Sequence, residues 1–163
     1  MPRLLLMRHA KSSWADSTLG DHERPLNDRG VAAATAMGKY FAREGMVPDR
    51  LLVSTARRTR ETIAGVLAQT TGWPTPAFDE RLYAASASRL AGLVRTTEAN
   101  IRTLMLVAHN PGMQMLARDL GGRDAWRLVG KFPTGALATI EWDGSWAEAE
   151  RGALTHFVAP RDL

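Results

Sequence analysis

The chain has 163 residues, 45% hydrophobic and 23% charged, with no cysteine. That length suits one domain with a substantial core, and the missing cysteines exclude disulfides, zinc–thiolate sites and cysteine nucleophiles. Lys and Arg outnumber Asp and Glu by 21 to 17, a formal net charge of +4. The basic residues are scattered, however, so a nucleic-acid partner is not expected. The sequence has no apolar run long enough to cross a membrane, and the first apolar run is too short for a signal-peptide core. The expectation is a cytoplasmic enzyme or binding protein.

In chain order, Leu4–Arg8 reads as a buried strand, and Trp14–Asn27 as a polar, turn-rich loop. Asn27 is placed to cap a helix over Asp28–Glu44, with Gly45 and Pro48 beyond its end and Val31, Ala34, Met37 and Phe41 on one face. Arg50–Val53 reads as a second strand. After Ser54 the period becomes helical (Thr59, Ile63, Val66, Leu67), with Gly72 and Pro74 as stops. Ala77–Ala84 is ambiguous between short strand and loop, and Ala87–Asn100 reads as a helix with Leu90, Leu93 and Val94 inward. "TLMLVA", Thr103–Ala108, carries the strongest strand signal. Pro111 then sits in the first turn of a helix that runs to Gly121. Ala136–Trp142 and Leu154–Val158 read as late strands, with "DGS" between Trp142 and Trp146 as a hairpin turn. Trp126, Trp142 and Trp146 suit core or hairpin packing, and Met105, Met113 and Met115 suit core filling. His22 and His156 have no identifiable partners in the sequence.

Strands alternating with helices predict an α/β domain, a three-layer α/β/α sandwich with a mostly parallel central sheet. In such sheets ligands bind beyond the carboxyl ends of the strands. Three polar clusters fall there: Arg8-His9, Ser54–Arg58 and His109-Asn110. The two strand-end histidines therefore point to one rim. Arg57, Arg58 and Arg60 open the second helix, where free N–H groups already favour anions. Successive helical residues lie about 100° apart, so one of Arg57 and Arg58 is expected to face the site. A metal is the poorer fit, because arginine would repel a cation and no carboxylate adjoins either histidine. An anion pocket accounts for all these groups: guanidinium groups fork onto phosphate oxygens, and an imidazole among them can attack phosphorus and form a phosphohistidine that water hydrolyses. No motif demands a metal or an organic cofactor.

These motifs resemble the histidine phosphatase superfamily, the group that includes cofactor-dependent phosphoglycerate mutases. "LMRHA" resembles the family's nucleophile motif, with Ala10 in place of the usual glycine. "STARRTRET" is similar to the pattern S-x-x-x-R-A-x-x-T, through Ser54, Arg58 and Thr62, with Thr59 replacing the usual alanine. "RPLNDRG", "FDERLY" and "VAHNPG" resemble three further family segments, in family order from residue 3 to about 115. The resemblance implies a phosphoglycerate mutase-like fold, His9 as nucleophile, Arg8, Arg58 and His109 as the rest of the phosphate pocket, and Glu80 as general acid. Asp16, Asp21 and Glu23 are rivals for the acid role, and a surface pairing with Arg81 is the structural alternative for Glu80. Lys11 and Ser12 are candidates for the mouth of the site.

From Glu80 to His109 is 29 positions (109 − 80), room for one helix and one strand but little for a cap. The expected arrangement is a single domain over 1–163 with an open site and no cap insertion. Short length and the "RHAKSSW…RPLNDRG" segment are most similar to SixA-type phosphohistidine phosphatases. That resemblance implies a phosphorylated histidine-phosphotransfer protein as substrate. The alternatives are a small-molecule phosphomonoesterase of the same superfamily and a non-catalytic module that binds phosphorylated partners.

Overall fold

The computed structural model describes residues 1–163. Eleven labelled elements follow in order: β1 (Arg3–Arg8), α1 (Asp28–Glu44), β2 (Arg50–Ser54), α2 (Arg57–Leu67), β3 (Ala77–Asp79), α3 (Ala87–Arg95), β4 (Thr103–Ala108), α4 (Gly112–Leu120), α5 (Ala125–Leu128), β5 (Leu137–Glu141) and β6 (Ala153–Val158). They form one six-stranded sheet of order β3-β2-β4-β1-β5-β6. The pairs β2–β3, β2–β4 and β1–β4 are parallel, and β5 and β6 are antiparallel additions at one edge.

The continuous apolar runs of β1 and β4 follow from burial on both faces. Leu4 and Leu6 of β1 join Leu104 and Leu106 of β4 in the core under α3 and α4. The alternating Leu5, Met7, Met105 and Val107 join Met37, Phe41, Ile63 and Val66 in the core under α1 and α2. Each large apolar side chain so buried contributes about 1.5–3 kcal/mol, so the two central strands are the most firmly held part of the molecule. Helix α1 starts where the Asn27 side chain accepts the Gly30 N–H at 2.8 Å, and ends where Gly45 turns left-handed at φ 64°.

Several sequence expectations are corrected. Helix α2 stops at Leu67, well before Gly72, because Gln69 and Thr70 tighten its last turn onto Val66 and Leu67. Helix α3 stops at Arg95, not Asn100, because the Thr96 and Thr97 hydroxyls donate back to the carbonyls of Gly92 and Leu93. The predicted "DGS" hairpin is a longer connection: Gly144 turns at φ 108°, and Ser145 and Glu148 cap a 3-10 turn over Trp146–Glu148. Trp142 and Trp146 are core residues as expected. Trp126 is 60% exposed beneath the Arg118 guanidinium, and Met115 and Val31 also face solvent. A few apolar side chains left outside are normal for a protein surface.

Candidate active site

The sheet register builds the site. In the parallel β1–β4 pair, Arg8 stands opposite Ala108. The next residue of each strand is therefore placed beside the other, and the rings of His9 and His109 lie 5.3 Å apart. Both are buried, at 7% and 6% exposure. Ser54 ends the neighbouring strand β2, and its hydroxyl lies 2.8 Å from His109 Nε2. Arg58, in the first turn of α2, is buried at the same rim. Arg57 turns away to Glu61 at 3.1 Å, so Arg58 is the arginine that faces the site.

His9 Nδ1 lies 2.7 Å from the Ala10 carbonyl. A carbonyl can only accept, so Nδ1 carries the proton and the Nε2 lone pair is free. Ala10 is fixed in turn: its N–H donates to Thr62 Oγ1 at 2.9 Å, and that hydroxyl donates to the Arg58 carbonyl at 2.7 Å. Thr62 thus ties the loop after β1 to the helix that carries Arg58. Ser54 Oγ also accepts the Ala56 N–H, which fixes the hydroxyl against the His109 ring.

Three buried nitrogens have no protein partner: Arg8 Nε, Arg58 Nε and His109 Nδ1. Buried polar groups are costly when unpaired, and two guanidinium N–H donors beside an unpartnered imidazole nitrogen mark an anion site. Arg8 is held from behind, Nη1 donating to the Phe132 carbonyl at 3.0 Å. The field of these cations shows in the histidines. Burial first, then Arg58, Arg8 and Arg24, pushes His9 down to about 4. Burial, then Arg58, with His9 and Arg8 adding, pushes His109 down to about 3. Both rings are therefore neutral near pH 7.

Asp21, one of three rivals for the acid role, sits on the pocket. Its carboxylate accepts from Tyr83 Oη at 2.6 Å, Arg58 Nη2 at 3.0 Å and Arg24 Nε at 3.2 Å. The Tyr83 hydroxyl, then Arg58 and Arg24, hold its pKa down at about 2, so it is ionised near pH 7. Asp16 bonds its own loop through Thr18, and Glu23 faces His22 and Arg60. Glu80 follows β3 at the carboxyl rim but is exposed, with no hydrogen bond to the pocket. It does not pair with Arg81 either, which binds Asp79. Ser12 meets the site indirectly, its hydroxyl accepting from Arg24 Nη1 at 2.8 Å. Lys11 is exposed and lines a separate groove.

Arg24 and Tyr83 are the pocket residues that the sequence reading missed. Arg24 is 7% exposed, binds Ser12, Ser13 and Asp21, and lies 3.5 Å over the Trp14 ring. Tyr83 packs edge-on against both His109 and His22. Each stands inside a segment quoted above, "RPLNDRG" or "FDERLY", so an arginine before proline and an aromatic after the acid were the available signals. His22 finds partners after all, in Thr55 and Glu23.

Residues 4–99 match the model of the histidine phosphatase superfamily, branch 1. The Mycobacterium tuberculosis protein Rv1276c is 37% identical over 164 residues, covering 95% of this chain and all of that one. Among solved structures, a chain proposed to be the phosphohistidine phosphatase SixA of Agrobacterium tumefaciens is 29% identical with TM-score 0.85, covering 98% of this chain and 99% of that one. Another, from Nakamurella multipartitia, is 27% identical with TM-score 0.81, covering 98% and 96%. With its phosphoglycerate mutase-like α/β fold, the chain belongs to the histidine phosphatase superfamily, branch 1, and is a SixA-like phosphatase.

Proposed function

We propose that this phosphatase removes phosphate from phosphohistidine on a protein, through a phosphohistidine formed on His9. The observation that carries the reading is a neutral imidazole, its Nε2 free, beside the unpartnered buried nitrogens of Arg8, Arg58 and His109, with the Asp21 carboxylate on the pocket ionised. In the first step Nε2 of His9 attacks phosphorus, the P–N bond to the substrate imidazole breaks, and that imidazole, protonated on its other nitrogen, leaves neutral. Arg8, Arg58 and His109 stabilise the equatorial oxygens in the in-line transition state. In the second step water attacks the phosphorus on His9, releasing inorganic phosphate. The Ala10 carbonyl holds the Nδ1 proton throughout.

The leaving group decides between substrates. An imidazole takes up a proton at about pH 6.5, so its departure needs no strong acid. A serine or sugar alkoxide is far more basic and needs one. Asp21 is ionised and Glu80 stands exposed, which favours the phosphoramidate. The span from Glu80 to His109 holds only a 3-10 turn, α3 and β4, which supports a single domain with an uncapped site that a protein-borne residue can enter. The names of the SixA-like neighbours agree with this reading.

The second reading, a small-molecule phosphomonoesterase, rests on Glu80 at the carboxyl end of β3. Phosphate release from a histidine-phosphorylated phosphotransfer domain and from small phosphate esters separates the two. A markedly higher kcat/KM on the phosphohistidine protein is expected. Brisk turnover of the esters with none of the protein would refute the proposal.

A further inference from the structure

A groove of about 500 Å³ lies beside the active site, and the chemistry above does not use it. Its floor is the alanine face of α1 around Ala33, its sides include Pro133 and Pro160, and its rim carries Lys11, Arg29 and Arg161. No acidic residue lines it. None of the three cations makes a salt bridge, although nine ion pairs occur elsewhere in the molecule.

The groove shares a wall with the phosphate pocket. Phe132 accepts Arg8 Nη1 on the pocket side, and the next two residues, Pro133 and Thr134, line the groove. The Gly135 N–H, just beyond, donates to the carbonyls of Arg8 and His9. Lys11 lies two residues after His9, its carbonyl accepting the Asn27 N–H while Gly30 packs against its backbone. A macromolecule that delivers a phosphorylated side chain to His9 must cover the surface next to the pocket. On this side that surface is apolar in its floor and the charged side chains that line it are all cationic, the neighbouring Asp162 carboxylate being engaged by the Ala159 N–H.

We infer that this groove is the docking site for an acidic segment of the phosphorylated protein substrate, whose carboxylates meet Lys11, Arg29 and Arg161. The inference rests on the phosphohistidine reading for the identity of the partner. Rim charges of this kind act on encounter and register more than on chemistry, so their effect falls on KM and on salt dependence.

The test uses the full chain and the variant Arg29→Glu/Arg161→Glu, both exposed positions outside the phosphate pocket. Arg102→Glu/Arg123→Glu, also exposed and outside the groove, controls for net charge. The probes are a histidine-phosphorylated phosphotransfer domain, phosphoimidazole as the small donor, and a labelled glutamate-rich alanine-based helical peptide. At low salt the groove variant should raise KM for the protein substrate and weaken the peptide about tenfold, while turnover of phosphoimidazole is unchanged and the control pair has little effect. Equal KM and equal peptide affinity in all three proteins would overturn the docking site. If the native protein hydrolyses neither phosphohistidine donor, the functional reading fails, and the peptide titration alone then decides whether the groove binds acidic segments.

Discussion

The positive pocket makes a prediction about stability. Buried histidines that resist protonation must destabilise the fold as pH falls. In the unfolded chain a histidine binds its proton near pH 6.5; in the folded protein His9 waits until about 4 and His109 until about 3. Between those limits the unfolded chain holds more protons, so stability is full above pH 7 and declines as pH falls through 6.5 toward 4. At pH 5 each ring costs about 2 kcal/mol relative to neutral pH by this linkage, and the pair about 4 kcal/mol as an upper figure. Their rings are 5.3 Å apart, so the two titrate as a pair. Against a typical total of about 5–15 kcal/mol, that is readily measured. Asp21, held at about 2, stays ionised across this window and does not contribute to it. Urea unfolding at pH 7.5 and 5.0, at fixed ionic strength without phosphate, gives the difference directly. The variant His9→Gln/His109→Gln should flatten it. Inorganic phosphate should also reduce it, because an anion beside the rings favours their charged forms. A native protein equally stable at both pH values, or a double variant with the same loss as native, would refute the electrostatic account of the pocket.

Other substitutions test its scaffolding. Thr62→Val removes the acceptor for the buried Ala10 N–H and should cost about 1–3 kcal/mol in urea unfolding. Gly30→Ala would drive a Cβ into the Lys11 carbonyl, a backbone atom that cannot swing aside, so a loss of about 2 kcal/mol or more and a lower Tm are expected. Glu80→Gln should leave kcat/KM on phosphohistidine within about threefold of native; an acid in direct use would cost about 10²–10⁴.

The catalytic rim was legible because local sequence and topology agree there. An apolar run that stops at a histidine, twice, in strands that an α/β alternation makes parallel, places His9 and His109 side by side. Helical angle allowed only one of Arg57 and Arg58 to face the site, and the resemblance to the family motif singled out Arg58. What escaped the sequence depends on long-range placement. Asp21 meets Tyr83 across 62 positions and Arg58 across 37, and no local period encodes either contact. Arg24 reaches the site only because the Ser12–Leu26 bridge folds the loop back on itself. Helix ends were misjudged where the last turn closed early, through the backbone of Gln69 and Thr70 at α2 and the Thr96 and Thr97 hydroxyls at α3. Trp126 and Met115 were misplaced because residue type says little about which face of a short helix turns inward.

The central claim is that His9 carries the phosphoryl group. Its most direct measurement is an alkaline detergent quench of the native protein, mixed for milliseconds with a radiolabelled phosphohistidine donor, followed by peptide mapping at alkaline pH. The account predicts an acid-labile, alkali-stable label on the peptide that contains His9, absent in His9→Ala. Turnover retained by His9→Ala, or label on any other residue, would contradict it.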